Sequence, residues 1–281
     1  MITLLLVQLA AAPGDQVPTF GAEVQAVYVD VFVTSQGIPV TNLTAREFTL
    51  SDNGVSQEVS VVDRQAAGLT VLMALDTSSS MAGDKLRDLK VAGCALLQGL
   101  ADEDEAGLVS FANGVTLHQP PKLEPRSLCA ALESLRAQGN TSLFDALYLC
   151  LKRTWGQRRL ALVVFSDGAD TMSWLHASEV MAAVRQSSAV VHAVILGTPS
   201  SRDAQVPLLG QITELSGGTY WEAESGRSLE SVFVAIARTT QARYVLRYEV
   251  SGTPRQGTHR LKVGVKGRKL DVRARREYFV P

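Results

Sequence analysis

The sequence predicts an α/β fold, a central and mostly parallel sheet with helices on both faces, inserted in a smaller β-sandwich formed by the N- and C-terminal segments. Three observations carry that expectation. From Gly68 to about residue 242, short unbroken apolar runs alternate with amphipathic stretches, the texture of buried parallel strands covered by helices. On either side of that block the apolar period falls to two, which marks half-buried strands. Each flanking segment is too small to hide its own apolar face, so the two are expected to pack on one another.

The elements follow in chain order. Met1 to Ala12 is an apolar run that ends in three alanines, which reads as the h-region and cleavage site of a signal peptide, although a basic n-region is missing. Residues 1–19 are therefore expected to be a signal peptide and linker, and the chain to be exported to the periplasm or beyond; a miscalled start would leave it cytoplasmic. A bilayer span needs roughly 20 apolar residues, and no later run reaches that length, so the mature chain is expected to have no transmembrane segment. Residues 20–66 read as β-rich. Val27, Val29, Val31 and Val33 share one strand face, and Phe48 and Leu50 alternate toward Asp52-Asn53-Gly54, a hairpin-turn sequence with Val59 and Val61 on the return strand.

Residues 67–242 form the α/β block. Its strands are expected at Val71 to Leu75, Leu108 to Phe111, Leu160 to Phe165 and Val190 to Leu196. Helical faces are marked by Leu86, Leu89, Leu96, Leu97 and Leu100, by Leu128, Leu132 and Leu135, by Leu143, Leu147 and Leu151, and by Leu229, Phe233 and Ile236. Residues 243–281 return to strand texture, with three strands around Tyr244 to Val250, Leu261 to Val265 and Leu270 to Ala274. Lys plus Arg number 27 against 28 Asp plus Glu, so no overall field draws the chain to nucleic acid. Cys94, Cys129 and Cys150 lack metal-site spacing and read as buried thiols, with a Cys129 to Cys150 bridge as the alternative. The basic cluster Arg268, Lys269, Arg273, Arg275 and Arg276 reads as a solvated strand face.

One constellation carries chemistry. Asp76-Thr77-Ser78-Ser79-Ser80 follows directly on the first buried strand, at the carboxyl edge where open α/β sheets bind ligands. Carboxylate and hydroxyl oxygens are hard donors suited to magnesium or manganese. The loop alone could equally be a capped helix start. Asp167 ends a second apolar strand, and Thr141 stands just before another helix, so three separated segments can converge on one cation.

The ordered set D-x-S-x-S, a distant Thr and a distant Asp-Gly resembles the metal-ion-dependent adhesion site of von Willebrand factor A domains, over about residues 68 to 242. The flanks, with Leu43 to Phe48 and Arg275 to Phe279, are similar to bacterial VWFA-related proteins. The resemblance implies a Rossmann-like domain whose metal ligands are Asp76, Ser78, Ser80, Thr141 and Asp167. It also implies a resident Mg2+, with Mn2+ or Ca2+ as substitutes, and a protein partner presenting Asp or Glu to the metal. Trp174 and His176 follow the Asp167 loop and are candidates for the partner-binding rim, while Asp145 and Asp170 read as helix-start acids rather than ligands.

Two other functions compete with adhesion. A metal-stabilised scaffold would use the same residues. A haloacid-dehalogenase-like phosphohydrolase would use Asp76 as nucleophile but needs a second acid two residues on, where Ser78 stands. There is no phosphate-binding glycine motif, no nucleophile elbow and no paired histidine spacing, so the chain is expected not to be an enzyme.

Overall fold

A computed structural model describes residues 26–63, 68–167, 170–196, 205–223 and 226–281. The expected signal peptide lies outside the described residues. The α/β block holds a six-stranded sheet in the order β11-β10-β9-β6-β7-β8. Its central strand is β6 (Leu69–Asp76), all eight residues of which are buried, flanked in parallel by β7 (Glu105–Phe111) and β9 (Arg159–Ser166). Beyond β9 lie β10 (Val190–Leu196) and β11 (Tyr220–Ala223), both parallel; beyond β7, β8 (Val115–Lys122) closes the edge antiparallel.

Alternation along β6 assigns its two faces. Leu69, Val71, Met73 and Leu75 pack with α1 (Asp84–Gln98), α2 (Cys129–Ser134) and α6 (Gly226–Gln241). Leu72 and Ala74 pack with α3 (Leu143–Lys152), α4 (Ala177–Gln186) and α5 (Gln205–Ser216). Both sheet faces are therefore dry, which is why the strands read as solid apolar runs. Edge strands β8 and β11 gave no such signal because each has only one neighbour.

The flanking segments form the expected sandwich. One sheet runs β14-β1-β12-β5, with the short β2 (Ile38–Pro39) on β1; the other runs β15-β13-β3-β4. Here β1 is Ala26–Ser35, β3 Phe48–Asp52, β4 Val55–Gln57, β5 Val59–Val62, β12 Tyr244–Glu249, β13 Gly257–Val265, β14 Asp271–Ala274 and β15 Glu277–Val280. Val29, Val31 and Val33 from one sheet meet Phe48, Leu50 and Leu261 from the other in a single core. Asn53 and Gly54 join β3 to β4 with φ of 48° and 84°, the double left-handed turn that the pair favours. Asp52, at the turn, is fully buried. It accepts hydrogen bonds from the Tyr248 and Tyr278 hydroxyls at 2.9 and 3.1 Å and lies 2.9 Å from His259 Nδ1.

Three sequence expectations are corrected. The return strand breaks after Gln57: β4 stays on β3, whereas β5, which carries Val59 and Val61, crosses to pair with β12 in the facing sheet. The C-terminal segment contributes four strands: the expected three and a further β15, which at four residues is too short to show a period. Cys94 on α1 and Cys129 on α2 are joined by a disulfide, which leaves only Cys150 as a buried thiol, pushed up to about 12 by burial. Among the described residues no helix is long and apolar enough to cross a membrane.

Within the basic C-terminal cluster Arg268, Lys269, Arg273 and Arg276 stand exposed as expected, whereas Arg275 is drawn into the joint between the sandwich and the α/β block. Arg275 donates to the carbonyls of Val184 and Ser187 at the end of α4, the Arg276 side chain pairs with Glu214 at 2.6 Å, and Arg273 donates to Thr219 Oγ1 at 3.1 Å. Asp30 of β1 pairs with Arg159 of β9 at 2.6 Å. Arg243, fully buried, donates to the Gly217 carbonyl at 2.7 Å. Gly217 itself has φ +79°, and a Cβ there would stand 2.5 Å from the backbone of Ala274 and Arg275. Gly217→Ala is accordingly expected to destabilise the protein by at least about 2 kcal/mol, through both positive-φ strain and backbone overlap. Urea denaturation measures it; a midpoint equal to the parent's would mean that the joint yields freely.

Candidate metal centre

The chain leaves β6 toward β7 on one side and later returns to β9 on the other, so a crevice opens at the carboxyl ends of β6 and β9. That reversal of strand order is where open α/β sheets bind ligands. Asp76 ends β6 and is fully buried. The short polar residues after it turn the chain at once: Ser79–Met81 is a single 3-10 turn, Gly83 has φ +80°, and α1 begins at Asp84.

Hydrogen bonds fix the first loop around the acid. The Ser78 N–H donates to Asp76 Oδ1 at 2.8 Å, Ser166 Oγ donates to Oδ2 at 2.7 Å, and the Ser78 and Ser80 hydroxyls lie 2.9 Å apart. The second loop is laced to the first by Ser79 N–H to the Gly139 carbonyl at 2.9 Å and Gln138 N–H to the Thr77 carbonyl at 2.8 Å. Thr141 is 3% exposed. Its N–H donates to Thr171 Oγ1 at 3.0 Å, and its carbonyl accepts from the N–H groups of Thr171 and Met172 at 2.9 and 3.0 Å. The structure thus brings Asp76, Ser78, Ser80, Thr141 and Asp167 to one sheet edge.

The electrostatics of that edge are unbalanced. Burial holds the Asp76 carboxyl above its ordinary value, hydrogen bonds from Ser166 and Ser78 oppose this in part, and the nearby Asp167 carboxylate pushes it further up. Asp167 Oδ1 is buried with no hydrogen-bond partner, and among the described residues Oδ2 has the Lys85 ammonium at 3.8 Å. The Ser142 hydroxyl, next to Thr141, is likewise buried and unpartnered. Buried acceptors left like this cost free energy unless a donor or cation satisfies them. Two carboxylates among neutral hydroxyls match the charge and hardness of a divalent cation. Among the described residues no group of three or more His, Cys, Asp or Glu side chains gathers anywhere, so a cation at this edge would depend on hydroxyls beside the two carboxylates.

The acids set aside in the sequence have clear structural work. Asp170 Oδ1 accepts from the N–H groups of Leu143 and Phe144 at 2.8 and 3.3 Å and from Ser173 Oγ at 2.6 Å, so it caps α3 from a separate loop. Asp145 accepts from the N–H groups of Trp174 and Leu175 at 3.1 and 3.0 Å. Trp174 is 90% exposed, its indole in solvent beside the centre, and His176 starts α4, its N–H donating to Glu179 Oε2 at 2.7 Å. Ser166 and Lys85 were not singled out in the sequence: each acts through a partner distant along the chain.

Comparison with known proteins agrees with this architecture. Residues 71–169 match the von Willebrand factor type A domain family. Over that stretch the chain is similar to von Willebrand factor type A domains. A UPF0353 protein of Mycolicibacterium paratuberculosis is 25% identical over 198 residues, 60% of this chain; the matched part spans 59% of that relative's length. Among solved structures, a von Willebrand factor type A protein from Catenulispora acidiphila superposes with a TM-score of 0.56 at 13% identity, over 92% of this chain and 74% of that one. The proximal thread matrix protein 1 of the mussel byssus, solved with a zinc-occupied MIDAS motif, superposes with a TM-score of 0.55 at 14% identity, over 66% of this chain and 49% of that one.

Asp170→Ala is expected to lower stability by about 1–2 kcal/mol, the size of a lost helix cap, and to loosen the loop that holds Thr141. Thermal denaturation tests the first part. Unchanged hydrogen exchange at Thr171 and Met172 would refute the second.

Proposed function

We propose that the chain is a divalent-metal-dependent protein-binding module of the adhesion type. Asp76, Ser78, Ser80, Thr141 and Asp167 hold the ion, and an Asp or Glu of the partner completes its shell. The observation that carries this reading is the buried, unpartnered Oδ1 of Asp167 next to the buried Asp76. A bound cation supplies positive charge at that edge; two carboxylates balance it while leaving it attractive to an outside acid. The seryl hydroxyls position and fill without neutralising. Lys85, 3.8 Å from Asp167, is a weak and exposed substitute.

Magnesium is the ion we favour on the oxygen-only donor set, with manganese or calcium as alternatives; the zinc in the mussel protein's motif supports a divalent ion in general. We take residues 67–242 as the binding domain and 20–66 with 243–281 as its β-sandwich mount, with residues 1–19 as an export signal. Trp174, with its indole in solvent, and His176 belong to the partner-facing rim. A scaffold in which the ion only stabilises the fold is the second reading. A phosphohydrolase is disfavoured because Ser78 occupies the place of the required second acid.

Isothermal titration of magnesium tests the ligand assignment. Asp76→Ala is expected to weaken binding on the order of 100-fold or more, beyond the 10–100-fold typical of residues that only support ligands, and circular dichroism should stay unchanged. An undiminished affinity would overturn the assignment.

A second outcome follows from the raised Asp76 carboxyl. A folded-state pKa above the unfolded value makes an acid's contribution most favourable at low pH and erodes it as pH rises through the folded value. In chelator at pH 7, Asp76→Asn should therefore be at least as stable as the parent, and magnesium should raise the melting temperature of the parent alone. A variant clearly less stable than the parent in chelator would contradict the unbalanced-charge picture.

A further inference from the structure

We propose that the cleft beside the metal centre takes a second carboxylate of the same partner, so that the module recognises a protein segment bearing two acids rather than a single one. The inference rests on the metal-binding reading above and names the partner class for that site.

The cleft has a volume of about 700 Å³ and runs between the β7–β8 hairpin and the segment that follows α2. Thr77 and Gly139 line it, and these residues also form the two laced loops of the metal centre, so cleft and centre are adjoining parts of one surface. Its charge is opposite to that of the centre. The Arg136 guanidinium lines it and no Asp or Glu does; His118, also in the wall, has its pKa lowered by burial and serves there as a neutral hydrogen-bonding group.

Both groups are held in place. Arg136 Nη1 donates to the carbonyls of Glu133, Ser134 and Leu135 at 3.0, 3.1 and 2.8 Å, which anchors the guanidinium by one nitrogen; Nε and Nη2 make no hydrogen bond with the described residues. Two donors on one rigid fork suit a carboxylate. His118 Nε2 lies 2.7 Å from Ser110 Oγ, and Ser110 is 6% exposed, so the ring is moored to the sheet.

The cleft wall is also mechanically tied to Thr141. Ser142 N–H donates to the Ala112 carbonyl at 2.9 Å and Asn140 N–H to Asn113 Oδ1 at 2.7 Å. Gly139, at φ +76°, leaves no room for a Cβ, which would fall 2.5 Å from Asn113 Oδ1. A segment seated in the cleft thus presses on the loop that carries Thr141.

Glycine-rich peptides with blocked ends provide the probes: one with a single Asp, and a series with a second acid one to five glycines away, titrated by NMR in magnesium. At one or two spacings the second acid is expected to tighten binding by about tenfold, the size of one charge-assisted contact. Arg136→Gln should erase that gain while the single-acid peptide binds as before; His118→Ala, which leaves the α2 carbonyls capped, should reduce it. Asp76→Ala should lose every peptide. If the single-acid peptide binds in magnesium but no spacing improves on it, or the gain survives Arg136→Gln, the cleft assignment is wrong. Failure of the parent to bind even the single-acid peptide would instead bring down the metal-binding reading beneath it.

Discussion

The arrangement turns on a negative charge placed where the fold can least afford it. Asp76 sits at the tip of the central strand, fully buried, with a second carboxylate near enough to oppose its ionisation. Everything local responds to that charge: the Ser78 N–H and the Ser166 hydroxyl lean on its two oxygens, and the Thr77–Ser79 and Gln138–Gly139 strips hold each other flat around it. These donors soften the repulsion without removing it, because Asp167 keeps one oxygen bare. A site preorganised in this way has met its desolvation cost during folding, which leaves more of the ion's binding energy available as affinity.

Rigidity at that edge comes from below. The sheet is packed on both faces, and its other end is bolted to the sandwich by Asp30 with Arg159, by Arg243 with the Gly217 carbonyl, and by Arg275 with the end of α4. Arg243 is buried with two of its nitrogens unpartnered, and its pKa falls to about 10 because burial disfavours its charge. A buried cation of this sort is poor evidence for stability; it fixes how the two parts meet.

Much of this was legible in the sequence, for identifiable reasons. Strands buried on both faces cannot hide their composition, so β6, β7, β9 and β10 stood out, and with them the loops that carry Asp76 and Asp167. The Asn53-Gly54 turn was legible because few residues accept two successive left-handed positions. What escaped notice depends on long-range pairing. Nothing local says that β5 leaves its hairpin for β12, that Cys129 meets Cys94, or which helix the helix-start acid Asp170 serves, one beginning 27 positions earlier at Leu143. Arg275 was misread for the same cause: a basic residue on a strand looks solvated until the facing helix end is known.

The pairing of the chain's two ends has a consequence for how the protein is made. Ala26 of β1 lies opposite Glu249 of β12, and Val31 lies opposite both Tyr244 and Ala274. Strand β1 has the short β2 beside it at once, but it can pair with β12 and β14 only after the entire α/β block has been synthesised. Until then its valine-rich face and open backbone edge stand exposed, the state in which strands mispair with other copies. An inserted domain that closed quickly on its own would shorten that exposure.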